Sequence, residues 1–362
     1  MRLADYSLFS YRLRYPRPVR WSDIVEEAAP FVLLRLTADT GEEGVAEITV
    51  KPTWCGVTAR SLIAAIEEVF IPILKKSELD DPAELRGALD RVPENLAAKT
   101  LIDNAVWDLQ AAKLKRPLWA VWSGTPVVEL SWAVTRQAPA AMATEAVQMV
   151  ERYGFATLKV KGGQGFDVDI EGLREIAAAV GPHVRLYVDA NGAYPADRAL
   201  DYAKAMADAG ASVLEDPCPL EPNAHFEELR DRSPIPILVD FGCTSLRDAS
   251  LFLERGAQGL STKPGRFGLS HCRAMEARAR QSDCRVVAGL MGESALGTLA
   301  GLQFVAAVER PMLPAELTWY LAMTDQIVSE VPAIKNGRVT LPDRAGLAAL
   351  VDWRAVEKFA DC

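Results

Sequence analysis

The chain has 362 residues, 49% of them hydrophobic and 25% charged, with a net charge of −9 at neutral pH. Its basic residues are spread along the chain rather than blocked, which argues against a nucleic-acid or anionic-membrane surface. Six cysteines without CxxC spacing suggest neither a disulfide framework nor a zinc site, no apolar run reaches membrane-spanning length, and the first residues lack the apolar core of a signal peptide, so a cytoplasmic setting is expected.

Residues 1–50 read as strand-rich, with alternating or apolar runs joined by the turn-like "DTGEEG". Residues 58–76 and 95–114 carry helical periodicity, so the order up to about residue 124 is strands and then helices, an α+β unit. From "ELSWAV" (129–134) the texture changes. Short Val-, Leu- and Ile-rich runs alternate with Ala-rich amphipathic stretches, beginning with "ATLKVKG" and "DVDIEGLREIAAAVG" and continuing to "CRVVAGLMG" and "SALGTLAGLQFVAAV". Repeated strand–helix alternation implies a parallel sheet with crossover helices, and about 25–30 residues per unit fits a (β/α)-barrel. A doubly wound open sheet is the rival, weakened by the lack of a Gly-rich dinucleotide fingerprint after the early strands. The tail carries an Asn-Gly hairpin signal in "IKNGRVTLP" (334–342) and a short terminal helix, a texture expected to return to the first unit. The expected division is a cap over 1–124, a barrel over 125–330 and a C-terminal return over 331–362.

Successive apolar strands end in charges. Lys161, Asp189, Glu215, Asp240 and Lys263 follow one another at intervals of 23–28 residues, each about one strand–helix unit. At the C-terminal ends of parallel strands such residues converge on the mouth where barrel enzymes hold their chemistry. Three carboxylates there would repel unless neutralised, and a hard divalent cation does this; Asp189, Glu215 and Asp240 are therefore the candidate ligands of Mg²⁺, with Mn²⁺ as a substitute. A salt-bridge ring with the lysines and Arg185 or Arg266 is the alternative, though burying it is costly. Lys161, from the strand before the carboxylates, and Lys263, from the strand after them, would approach a substrate from opposite sides. They are candidates for removing and returning a proton next to a carboxylate, where the cation would stabilise the enediolate. Lys159 shares a strand face with Lys161 and is expected to lower its pKa by like-charge repulsion.

These residues stand in motifs that resemble the enolase superfamily, specifically its muconate-lactonising subgroup: "KVK" (159–161), "VDANGAY" (188–194), "LEDP" (214–217), "VD" (239–240), "KPGRFGL" (263–269) and "GLMGES" (289–294). Outside the barrel, "LIDNAVWDLQAAKLKRPLW" (101–119) and "LPDRAGLA" (341–348) look like the family's long cap helix and its C-terminal return, so the resemblance covers nearly the whole chain. It implies a modified TIM barrel, (β/α)7β, with an N-terminal α+β capping domain completed by the C-terminal segment. It also implies a small-molecule carboxylate substrate and a closed homo-oligomer. Asn191 is placed to orient the ligand shell, and Glu293 either near the substrate or at a helix start. The third metal ligand is usually followed by Glu, where this chain has Phe241, which puts in doubt how Lys263 is held. Near strand eight, "PAELTWYLAMTD" offers Glu316 and Trp319 rather than the Asp-x-Asp of dipeptide epimerases. His271 reads as a surface residue.

Substrate choice is implied to lie in the cap loops 15–23 and 50–58, where Arg20, Trp21, Lys51 and Trp54 are candidates for contacting the distal part of the substrate. Cations there would suit a dicarboxylate, which favours a muconate-cycloisomerase-like reaction. N-acylamino acid racemisation, o-succinylbenzoate synthesis and dehydration of a hydroxy acid share the first step. A Schiff-base lysine aldolase and a non-catalytic binding protein on the same fold stay open as remoter readings.

Overall fold

The computed structural model describes residues 1–20 and 25–361. The first three strands, β1 (Leu3–Arg20), β2 (Val25–Ala38) and β3 (Glu43–Thr49), form an antiparallel sheet in that order. Period-two alternation fixes its faces: Tyr11, Leu13 and Tyr15 are buried while Arg12 and Arg14 are exposed. The ladder slips between Arg14 and Val19, the stretch that holds Pro16 and Pro18, neither of which has an N–H to donate. The helical stretch after the sheet is not uniform. It runs as Ala59–Ala65, a π-turn over Ile66–Phe70, and Ile71–Leu74. Pro72 cannot donate to the carbonyl one turn back, and Ile71 instead reaches five residues back to Ile66. A further short helix, Pro82–Leu89, is capped by Asp81, and Leu96–Leu114 then lies across the sheet to bury one apolar core with it.

Short strands follow: β4 (Val127–Glu129), β5 (Trp132–Val134), β6 (Thr157–Lys161), β7 (Arg185–Asp189), β8 (Leu214–Glu215), β9 (Ile237–Val239), β10 (Gly259–Thr262) and β11 (Arg285–Ala288). β5 to β11 make one parallel sheet in strict chain order, with a helix after every strand. A doubly wound sheet would reverse direction part-way; this one does not. Residues 312–316 join its two edges. Met312 and Glu316 donate backbone N–H groups to Val286 and Ala288 on one side, while Ala315 exchanges bonds with Glu129 and Ser131 on the other. The sheet therefore curls into a barrel of eight staves, the last an irregular segment. Tyr187, Val213, Leu238, Val287 and Leu313 fill its interior as a separate apolar layer.

The Asn-Gly signal is a two-residue hairpin between β12 (Ile334–Lys335) and β13 (Arg338–Thr340), with φ of 51° at Asn336 and 67° at Gly337. It pairs with β4 rather than with the first sheet. Contact with that sheet comes from the terminal helix Trp353–Phe359, after which Ala360 bridges Tyr11 and Asp361 bonds Ser10 and Arg12. Among the described residues no helix is long and apolar enough to cross a membrane.

Candidate active site

Strand β6 aims Lys159 and Lys161 inward, because Leu158 and Val160 take the opposite face and are buried against the helices. Parallel register sets Lys159 beside Tyr187 and Lys161 beside Asp189. The two lysines differ in access: the Lys161 side chain is 21% exposed and that of Lys159 only 2%. Lys161 Nζ lies 2.6 Å from Asp189 Oδ2 and 3.4 Å from Asn191 Oδ1. Lys159 Nζ lies 3.0 Å from Asp189, 2.8 Å from Glu215 and 3.0 Å from Glu316. Burial alone would depress the pKa of Lys159, but the three carboxylates reverse that and hold it well above the usual lysine value. Lys159 is thus held as a cation among three acids.

On the far side, Lys263 follows β10 and sits 2.5 Å from Asp240 Oδ2. β6 and β10 are the second and sixth of eight staves, so Lys161 and Lys263 face each other across the mouth. Arg266 approaches Asp240 Oδ1 at 3.7 Å, and the Phe241 ring stands 5.8 Å from Lys263 Nζ. Despite Phe241 in the place of an acid, Lys263 is held by a carboxylate. Asp216, which follows Glu215, accepts the N–H groups of Asp240 (3.1 Å) and Phe241 (2.7 Å) and so orients the end of β9. Asn191, at φ 50°, donates its backbone N–H to Asp189 Oδ1 (2.8 Å) and its amide to Oδ2 (3.0 Å).

The acids carry unequal loads. Burial raises the pKa of Asp189 and Asp240, but the ammonium groups beside them outweigh burial and keep both below the usual carboxylate range. Glu215 is pushed well above its ordinary value by burial and by the charge of Asp189. Among the oxygens of these three acids, two that are buried accept no hydrogen bond: Asp240 Oδ1, and Glu215 Oε2 although Lys159 Nζ is nearby. Carboxylates with buried, unbonded lone pairs suit a hard divalent cation in kind and charge. Among the described residues no three acidic, His or Cys side chains converge closely enough to chelate an ion as they stand. Lys159 Nζ lies between Asp189 and Glu215, and Lys263 Nζ sits against Asp240.

Above these groups is a cavity of about 270 Å³. Lys161, Lys263, Asp240 and Glu316 line its floor, and Trp54, Phe241, Leu290, Met291 and Trp319 its walls, with Arg136 and Arg266 at the sides. Of the expected cap contacts, Trp54 lies on this wall. Lys51 is not in the lining; its ammonium is buried in an ion pair with Glu26. Trp21 and the Arg20 side chain lie outside the described residues. Ser294, not Glu293, caps the helix Ala295–Val305. Glu293 is buried, accepts the N–H of Met291 at 2.8 Å, is pushed up to about 7 by burial, and packs where a Cβ on Gly265 would fall, 2.6 Å from its Oε1.

Three residues enter the site in roles that the sequence did not assign to them. Glu316 binds Lys159 and accepts from Tyr187 (2.7 Å). Its strand-eight segment has no strand-like run to reveal an inward side chain. Asp216 is hidden by standing next to Glu215 just past the end of β8, where a φ of 40° breaks the alternation that a sequence pattern assumes. Arg136, just beyond β5, donates to the carbonyls of Gly162 (2.6 Å) and Ala190 (3.3 Å), tying together the loops after β6 and β7.

Residues 141–355 match the enolase C-terminal domain-like family, and residues 7–121 match the mandelate racemase/muconate lactonizing enzyme N-terminal domain. Muconate cycloisomerase 1 of Rhodococcus opacus is 26% identical over 353 residues, covering 95% of this chain and 94% of its own. The o-succinylbenzoate synthase of Geobacillus kaustophilus is 28% identical, with 91% and 88% covered, and the L-Ala-D/L-Glu epimerase of Bacillus subtilis is 27% identical, with 89% of each covered. In three dimensions the chain superposes on a muconate lactonizing enzyme from Mycobacterium smegmatis, solved with muconolactone, at a TM-score of 0.94 and 26% identity over the whole of both chains. The chain is an isomerase/lyase-type enzyme of the enolase superfamily and belongs to its muconate lactonizing enzyme subgroup.

Proposed function

We propose that the protein moves a proton at the α-carbon of a small carboxylate substrate, with Lys161 serving one face and Lys263 the other. The observation that carries this reading is the pair of ammonium groups on opposite staves, each within 2.6 Å of a buried carboxylate and both lining one cavity. Asp189, Glu215 and Asp240 would hold Mg²⁺, with Mn²⁺ as a substitute. When bound, the cation supplies positive charge to the substrate carboxylate as the enediolate develops. Lys161 and Lys263 take up or deliver the proton from their two sides. Lys159 keeps Asp189, Glu215 and Glu316 together through its ammonium charge, and the apolar walls limit water at the reacting carbon.

For the overall reaction, a muconate-cycloisomerase-like conversion is supported by the cations beside the floor, Arg136 and Arg266, which suit a second carboxylate. A second reading, racemisation of an N-acylamino acid or o-succinylbenzoate synthesis, is favoured by the Trp54, Phe241 and Trp319 wall, which would bury a bulky apolar group. A ¹H NMR screen in D₂O with Mg²⁺, using a muconate, N-acylamino acids and hydroxy acids, separates lactonisation, racemisation, dehydration and simple exchange. Loss of an α-proton signal or appearance of a lactone is expected; inertness toward every acid would overturn the proposal.

A further inference from the structure

Lys263 is carried on a turn with little structure of its own. It precedes a single helical turn, Pro264–Phe267, in which the N–H groups of Arg266 and Phe267 both donate to the Lys263 carbonyl at 2.8 Å. Gly268 then takes φ 81° and the next helix, Leu269–Gln281, begins.

Much of what holds this turn comes from the cap. Asn104 donates its amide to the Pro264 carbonyl (3.0 Å) and accepts the N–H of Leu269 (2.9 Å). Thr100 donates its hydroxyl to the Arg266 carbonyl (2.7 Å), and Arg86 donates to the Phe267 carbonyl (2.5 Å). Asp103 accepts both the N–H (2.8 Å) and the hydroxyl (2.5 Å) of Ser270. All four side chains lie on the two cap helices Pro82–Leu89 and Leu96–Leu114 and are at most 5% exposed. None of them lines the cavity. A helix that only had to bury surface would present apolar groups there, because a buried polar side chain is costly unless it is bonded. The contact is also too close for a side chain between the surfaces: a Cβ on Gly268 would stand 2.4 Å from Asp103 Oδ2 and 2.7 Å from Arg86 Nη1.

Among the described residues, Lys161 shows no such dependence. It lies within β6, laddered to β5 and β7, and needs nothing from the cap to stay in register. We infer that Asn104, together with Thr100, is a positioning residue for the second proton-transfer lysine: besides covering the cavity, the cap sets the place of Lys263 by gripping the backbone of residues 264–270. This rests on the two-lysine reading proposed above, and its test is independent of any substrate.

Trace acetylation of the substrate-free protein with acetic anhydride, read by mass spectrometry as the ratio of label on Lys263 to label on Lys161, follows the two ammonium groups in one sample. The Lys263 side chain starts at 7% exposure against 21% for Lys161. Asn104→Ala, which removes both bonds to the turn, is expected to raise that ratio roughly three- to tenfold, the population change an ordinary hydrogen bond allows. Thr100→Val removes one bond at constant shape and is expected to raise it less, with Thr100→Ser returning it to the wild-type ratio. An unchanged ratio in both variants overturns the inference, and so does a parallel rise of both lysines, the signature of general loosening. Should Asn104→Ala fail to fold, Thr100→Val decides alone. Absence of α-proton exchange by the wild-type protein on every acid offered would overturn the proposed function and leave the labelling result standing.

Discussion

Lys161 and Lys263 are alike in chemistry and unlike in support, and their substitution tests them separately. Removing a positioned general base typically costs about 10²–10⁴-fold in rate. Lys161→Ala is expected to lose that much exchange at one face of the α-carbon while the other face still exchanges, and Lys263→Ala the reverse. Deuterium incorporation into each enantiomer of a chiral acid that the wild-type protein turns over separates the two; a variant that exchanges both faces at the normal rate would remove its lysine from the mechanism. These lysines and the three acids were readable from the sequence because each is a charge terminating an apolar strand, and strands recur at a fixed interval. The pairing of Lys51 with Glu26 of β2 was not legible, because spacing along a chain says nothing about a partner 25 residues away. Glu316 was in view as a residue but not as a ligand of Lys159, because the segment around it bends instead of alternating.

Elements were legible where periodicity is strong and opaque where one residue changes the hydrogen-bond pattern. The long cap helix falls at Leu96–Leu114, within a residue of its expected start, whereas Pro72 turns an expected uniform helix into three pieces. The joints between elements were not legible at all, since they depend on side chains meeting across more than a hundred residues. Gly268 is one such joint. Gly268→Ala would force a Cβ into a left-handed residue and into Asp103, so a loss of at least about 1–3 kcal/mol is expected in chemical denaturation. An unchanged midpoint would mean that the cap and barrel surfaces do not meet as closely as described. Asp108 is another joint. It accepts the N–H groups of Val45 (2.9 Å) and Leu347 (2.8 Å), yet burial pushes its pKa up to about 7. An unfolded Asp titrates near 3.9, so between about pH 4 and pH 7 the folded chain keeps a proton that unfolding releases. Stability from this group therefore falls as pH rises through that window, by up to about 1.4 kcal/mol per pH unit, and levels off above it. Asp108→Asn lacks the titration, so its stability relative to wild type should improve from pH 5 to pH 7.5. A difference that stays constant with pH would show Asp108 to be ionised throughout.

At the scale of the whole molecule, the site ties the barrel and the cap to the charge of whatever binds in it. Asp189, Glu215, Asp240 and Glu316 face Lys159, Lys161, Lys263 and Arg266, so charges of both signs already offset one another before anything enters. A divalent cation adds two positive charges to that balance, and an enediolate, the form a carboxylate takes after losing its α-proton, adds two negative ones. The cation and the reacting substrate therefore compensate each other better than either does alone, and each is expected to tighten the other's binding. A ligand that binds only the folded state stabilises it by an amount set by its concentration over its dissociation constant, about 2.7 kcal/mol at a hundredfold excess. Adding Mg²⁺ to chelator-treated protein should then raise the Tm, and a slowly reacting carboxylic acid should raise it further only when Mg²⁺ is present. Asp240→Asn, which removes one charge from the oxygen pair that includes the unbonded Oδ1, should abolish the Mg²⁺ response. EDTA should reverse both the Tm shift and any turnover. If the Tm of the wild-type protein is indifferent to Mg²⁺ and Mn²⁺ at millimolar concentrations, the three carboxylates are a salt-bridge cluster neutralised by lysines, and the assignment of a metal to them fails.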